Sequence, residues 1–167
     1  IVITMHIKLK NKNLYFHNYK VKCAIGKRGI SNKKREGDYC TPKGTFKFIE
    51  VFYRKDRNKK IKTLLKKTCI TKNMGWCDDS RSKKYNKLVK LPFRYKSEKL
   101  YRKNNLYDVL IVINYNFKPT VRNKGSAIFL HIANKSYKST RGCIAVSKKD
   151  MKILLKYITK KTKLFIY

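Results

Sequence analysis

The chain has 167 residues, 42% of them hydrophobic and 13% aromatic, which suits one domain with a real core and excludes wholesale disorder. Forty-four Lys and Arg stand against nine Asp and Glu, a formal net charge of +35 whose field draws polyanions such as nucleic acid, teichoic acid or anionic lipid. The excess is spread from end to end, not gathered in a patch or tail, and accompanies abundant Asn, Ile and Tyr, as coding sequence rich in A and T also produces.

Residues 1–9 alternate loosely and stop at the polar turn KNKN. LYFHNYKVKCAIG (14–26) reads as strand material ending at glycine, and GTFKFIEVFYR (44–54) as a strand rich in aromatic and β-branched residues. YDVLIVINYN (107–116) and SAIFLHI (126–132) are nearly continuous apolar runs, the pattern of strands covered on both faces, and GCIAV (142–146) is a shorter one. SKKD (147–150) is a capping-box-like start for a helix whose apolar stripe is Met151, Leu154, Leu155 and Ile158, and KLFIY (163–167) returns as a strand. The stretches 27–43 and 71–104 read as long irregular loops of the kind that carry function. With no repeat or linker, residues 1–167 read as a single, mainly β domain with its helix near the C-terminus.

VLIVI (109–113) is the longest strictly apolar run, far too short to span a bilayer as a helix, and IVITMHIKLK lacks the form of a signal peptide. The five cysteines (23, 40, 69, 77, 143) contain no CxxC and no zinc spacing, and GKRG is not a phosphate loop, so neither metal nor cofactor is expected.

Three stretches carry candidate chemistry. In FLHIANKSYKSTRGCIAV (129–146), His131 ends one expected strand and Cys143 begins the next; adjacent strands would bring a base to a thiol. Gly142 removes a side chain where backbone N–H groups could face an oxyanion. Spacing alone leaves open the alternative that both residues are buried strand parts. In the second stretch, 26–48, Glu36 and Asp38 flank a turn ahead of TPKGTF; their default is pairing with nearby lysines. In the third, 75–89, Trp76 precedes Asp78 and Asp79, adjacent acids that favour ordering of the loop over holding a metal. YKSEKLYRKNNLY (95–107) interleaves tyrosine with lysine, as nucleic-acid stacking surfaces do, but no RNA- or DNA-binding motif accompanies it.

Taken together, Gly26–Phe46 (with EGDxxTPxGTF), Trp76–Asn86 (WxDD…YN), Gly125–His131 (GSAIFLH) and Thr140–Cys143 (TxGC) resemble the YkuD-type L,D-transpeptidases, over roughly residues 20–150. The resemblance implies a mixed β-sandwich-like catalytic domain acting outside the cytoplasm, in the periplasm or cell wall, on the peptide stems of peptidoglycan as donor and acceptor. It implies Cys143 as nucleophile, His131 as general base, and Gly142 with the backbone of Arg141 and Cys143 as oxyanion hole. Ser139, Thr140, Lys34, Glu36, Asp38, Trp76, Asp78, Asp79, Tyr85 and Asn86 become residues that meet substrate or order the loops. The reaction implied is a thioester acyl-enzyme resolved by an amine to a 3→3 cross-link, with covalent inhibition by carbapenems. The alternatives are an L,D-carboxypeptidase using water, or a non-catalytic basic protein that binds wall or polyanion. An extracytoplasmic setting allows disulfides among Cys23, Cys40, Cys69 and Cys77. Many family members carry His before the Gly-Cys step and Arg two residues after the cysteine. Here those positions are Arg141 and Ala145, so the substrate carboxylate needs another cation, Arg141 or a loop lysine.

Overall fold

The computed structural model describes residues 4–32 and 35–167; the first three residues of the strand expected over 1–9 lie outside them. Alternation builds the N-terminal meander. Ile7 and Leu9 are buried while Lys8 and Lys10 are exposed, giving β1 (Ile7–Lys10). Asn11 and Lys12, both at positive φ, form the two-residue turn into β2 (Asn13–Phe16), and a second turn at His17 leads into β3 (Tyr19–Ala24). The run 14–26 is therefore two strands, not one. His17 at φ 46° reverses the chain there without the glycine that usually signals such a turn.

The remaining elements in chain order are β4 (Ile30–Ser31), β5 (Thr41–Pro42), β6 (Gly44–Tyr53), β7 (Lys67–Cys69), β8 (Met74–Cys77), β9 (Leu88–Lys90), β10 (Ser97–Lys99), β11 (Val109–Ile113), β12 (Phe129–Ile132), β13 (Ile144–Val146), α1 (Lys148–Tyr157) and β14 (Lys163–Ile166). The mainly β class with a C-terminal helix holds. The sheet runs β11-β12-β13-β3-β2-β1-β14-β6-β7, and an additional pairing of β6 with β11 closes eight strands into a barrel-like ring. The ten-residue β6 makes closure possible: one edge pairs with β14 and then β7, the other with β11.

Two apolar clusters follow from strand alternation. The larger takes residues from all eight ring strands, with Met151, Leu154, Leu155 and Ile158 of the helical segment packed against them. Ser147 caps α1 by accepting from the Asp150 N–H at 3.0 Å. The smaller lies on the other face of β11 and β12, where Leu110, Val112 and Phe129 meet Trp76, Leu100 and Tyr107. This explains why VLIVI is apolar throughout. The cover over the second cluster is a three-stranded sheet, β10-β8-β9, inside the stretch 71–104 that reads as irregular in sequence. Its strands are three or four residues long, too short for a periodicity signal. All five cysteines are thiols in this structure, so the disulfides allowed among Cys23, Cys40, Cys69 and Cys77 are not formed here. Burial pushes the Cys23 thiol up to about 12, which makes it inert at neutral pH.

Candidate active site

β12 and β13 run parallel with Leu130 beside Ile144 and His131 beside Ala145. Alternation sends Leu130, Ile132, Ile144 and Val146 into the ring core and turns Phe129, His131, Cys143 and Ala145 to the opposite face. Cys143 stands two residues before Ala145, roughly 7 Å along the strand. Ala145 contributes only a methyl group there, so imidazole and thiol share one face, at the floor of a cleft of about 850 Å³.

His131 is held from two sides. Its Nδ1 lies 2.9 Å from the Ile132 carbonyl oxygen. A carbonyl only accepts, so Nδ1 carries the proton and Nε2 keeps its lone pair. The Tyr107 ring meets the imidazole edge-on at 5.3 Å. Burial, with the nearby positive charge of Arg102 as a lesser cause, lowers the His131 pKa to about 4. The imidazole is therefore neutral at pH 7, as a general base must be. The unfolded chain binds the proton more readily than the folded one. Stability is thus full above pH 6.5 and is lost as pH falls from about 6.5 towards 4, by on the order of 3 kcal/mol at most. In urea unfolding at pH 7, 5.5 and 4.5, the wild type is expected to lose stability across this window and His131→Gln to lose far less; equal slopes would contradict the assignment.

The turn before Cys143 is fastened by threonines. Thr140 Oγ1 donates to the Cys143 carbonyl at 2.6 Å and accepts from the Gly142 N–H at 3.1 Å. The Thr41 hydroxyl donates to the Gly142 carbonyl at 2.8 Å and accepts from the Gly26 N–H at 2.8 Å. Gly142 has φ 140°, and a Cβ there would sit 2.8 Å from the Cys40 carbonyl oxygen. Gly26 is equally confined, since a Cβ there would overlap the Tyr39 carbonyl oxygen. The two glycine-containing stretches are thus packed backbone to backbone, bridged by Thr41.

Cys143 itself lies against the segment 125–129. Its thiol donates to the Ala127 carbonyl at 3.1 Å, and its sulfur accepts from the Phe129 N–H at 3.4 Å. Ala127 sits at φ 52°, an unfavourable conformation for alanine, and is kept there from behind. The buried Asn86 accepts through Oδ1 from the Ala127 N–H at 3.0 Å and from Trp76 Nε1 at 2.9 Å. Its Nδ2 donates to the Tyr115 and Asn116 carbonyls. One residue earlier, the Tyr85 hydroxyl accepts from the Gly125 N–H at 2.9 Å and donates to Glu36, which also accepts from Ser126 Oγ at 2.7 Å.

The family model YkuD, the L,D-transpeptidase catalytic domain, matches residues 4–166. The chain belongs to the YkuD family. No curated protein matches it. Among solved structures, that of Bdellovibrio bacteriovorus Bd1075 superposes with TM-score 0.53 at 16% identity, over 98% of this chain and 48% of that one. The chain spans about half the length of that protein, and at this identity the likeness concerns the fold alone.

The other expected YkuD site residues divide by what they touch. Glu36, Tyr85, Asn86 and Trp76 form the hydrogen-bonded backing of residues 125–127. Asp38 orders its own turn by accepting from the Cys40 and Arg35 N–H groups. Asp79 accepts from the Arg81 guanidinium and from the N–H groups of Arg81 and Lys96, and Arg81 holds its carboxyl well below the usual carboxylate range. Asp78 pairs with Lys96 at 3.4 Å on the cleft wall. Ser139 and Arg141 are exposed on that wall, and Lys34 lies outside the described residues. The Gly142 N–H, an expected oxyanion donor, is already given to Thr140.

Three residues of the site are not evident from the motifs. Tyr107 donates to Glu98 at 2.6 Å, Glu98 also pairs with Arg102, and the Arg102 guanidinium lies 3.8 Å from the centre of the Tyr107 ring. Burial, then the charge of Glu98, raises the Tyr107 phenol well above its ordinary range, so it stays a donor. All three lie within the tyrosine–lysine stretch 95–107, whose interleaving resembles a base-stacking surface. Tyr107 is buried and Arg54 covers the ring of Tyr101 at 3.5 Å, so neither offers an open face to a base.

Proposed function

We propose that this chain is a cysteine-dependent L,D-transpeptidase. Family membership gives the reaction class, and the observation that carries the residue assignment is the shared face of His131 and Cys143, with the imidazole neutral and its Nε2 lone pair available. Cys143 Sγ attacks the carbonyl carbon of the third stem-peptide residue while the thiol proton passes to His131 Nε2. To do so the thiol leaves its bond to the Ala127 carbonyl. The new S–C bond makes a tetrahedral oxyanion for which the Arg141 and Cys143 N–H groups are the donors, since the Gly142 N–H is engaged by Thr140. The bond to the terminal D-Ala breaks, and His131 returns the proton to the departing amine. A side-chain amine of a second stem then attacks the thioester, gives its proton to His131, and displaces the thiolate, leaving a 3→3 cross-link. Water in place of the amine would give a carboxypeptidase. Arg141 and the loop lysines Lys27 and Lys138 line the cleft with Arg102, and these are the cations that a substrate carboxylate would meet in the absence of an arginine at Ala145. The family acts on peptidoglycan, and we assign this chain the same periplasmic or cell-wall setting.

Incubation with a carbapenem followed by intact-mass measurement tests the reading. A single adduct is expected on the wild type and none on Cys143→Ala, and turnover should fall by about 10⁴-fold or more in that variant. A folded wild type without an adduct would overturn it. With a disaccharide-tetrapeptide substrate, cross-linked dimer with release of D-Ala is the expected outcome; disaccharide-tripeptide and D-Ala without dimer would assign the hydrolytic alternative.

A further inference from the structure

A second concavity lies on the opposite side of β12 from His131. Its volume is about 380 Å³, and Ile61, Val109, Ile132, Met151 and Leu155 supply its apolar floor at the end of the ring core. The size is within the range of small-ligand sites. Its rim has a single sign of charge. On one side are Lys148, Lys152 and Lys156, spaced by four along α1; on the other, Lys59, Lys60 and Lys62 of the loop before β7. All six are exposed, none forms an ion pair among the described residues, and no carboxylate lines the concavity.

This arrangement is adverse to the protein on its own. Like charges four residues apart on a helix repel. Lys148 also sits at the first helical position, where the helix dipole is positive and disfavours a cation. Of the carboxylates nearby, Asp108 is bound by Arg57 at 2.7 Å, and Asp150 of the same helix accepts from Ser147 at 2.7 Å and does not line the concavity. An anion at the rim would relieve all of these repulsions at once, and the floor beneath it would take an apolar tail. General basicity accounts for lysines on the surface. It does not account for an apolar, concave floor between two lysine rows.

We infer that this concavity binds a single-chain anionic amphiphile, its acyl or prenyl chain on the Ile61–Leu155 floor and its phosphate or carboxylate among the lysines. The site is separate from the cleft and does not depend on the transpeptidase reading. The test is calorimetric titration of the full chain with decyl phosphate below its micelle concentration. Inorganic phosphate and decyl maltoside serve as the head-only and tail-only controls. Decyl phosphate is expected to bind at least about tenfold more tightly than either control. Lys148→Gln/Lys152→Gln/Lys156→Gln should weaken it about tenfold while raising the thermal midpoint of the unliganded protein. Lys8→Gln/Lys10→Gln/Lys20→Gln, which removes the same charge from β1 and β3, should leave it within about twofold. Equal loss in the two triple variants, or equal binding of inorganic phosphate, would overturn the proposal in favour of the protein's overall field or of a plain anion site. Binding to anionic vesicles without binding of monomeric decyl phosphate would overturn it in favour of a membrane-docking face.

Discussion

Gly142→Ala is expected to remove nearly all acylation of Cys143. Two effects act on the same atom. The backbone at φ 140° is one that residues with a Cβ rarely adopt, and the added methyl would lie 2.8 Å from the Cys40 carbonyl oxygen. Backbone carbonyls cannot rotate away as a side chain can, so the 140–143 turn must shift. That shift loosens Thr140 from the Cys143 carbonyl and Thr41 from the Gly142 carbonyl, the bonds that set where the thiol and its neighbouring N–H groups point. Displacement of this kind by about an ångström costs on the order of 10²-fold in rate, as does loss of an aligned oxyanion donor. The strain and lost bonds together come to about 3 kcal/mol, or a fall of roughly 6–12 °C in thermal midpoint for a chain of this size. The carbapenem acylation rate and the melting temperature measure the two effects separately. A variant that melts lower but acylates at the wild-type rate would refute the role given to this turn.

The second large effect is expected at Asn86, more than forty residues from Cys143 in sequence and without a contact to it. Its amide satisfies the N–H groups of Trp76 and Ala127 and the carbonyls of Tyr115 and Asn116, and it is itself buried. Asn86→Ala leaves these four groups without that partner. At about 1–3 kcal/mol for a buried unsatisfied group, and with incomplete additivity, the loss should reach about 3–5 kcal/mol. Asn86 also sits at φ 56°, where asparagine is better tolerated than alanine. Asn86→Asp keeps an acceptor for Trp76 and Ala127 and should recover part of the stability. The decisive readout is the rate of iodoacetamide alkylation at Cys143, measured under conditions where each variant is folded. Once Ala127 is no longer held, its carbonyl is no longer a fixed acceptor for the thiol, and the rate should change by severalfold in Asn86→Ala. An unchanged rate would limit Asn86 to stability alone.

The sequence made some of this legible and hid the rest for identifiable reasons. Nearly continuous apolar runs at 107–116 and 126–132 announce strands covered on both faces, and they are. Four motifs in order point to the YkuD family. The hairpin inside 14–26 escapes because its turn is His17–Asn18, without glycine. The small sheet of 71–104 escapes because three-residue strands carry no period. Tyr107, Glu98 and Arg102 escape because nothing in YKSEKLYRKNNLY marks which of its aromatics is buried beside an imidazole.

By itself, then, the sequence determined the strand-rich class, the helix stripe at Met151, Leu154, Leu155 and Ile158, and the pairing in type of one histidine with one cysteine. These depend on local alternation and on residue chemistry. Only the tertiary structure decided that His131 and Cys143 share a face, because parallel register between β12 and β13 is a long-range property. It also decided that Asn86, Tyr85 and Glu36 stand behind residues 125–127, and that the helix lysines face those of the 59–62 loop. A one-residue slip of β13 against β12 would turn Cys143 into the core and leave every local sequence signal unchanged.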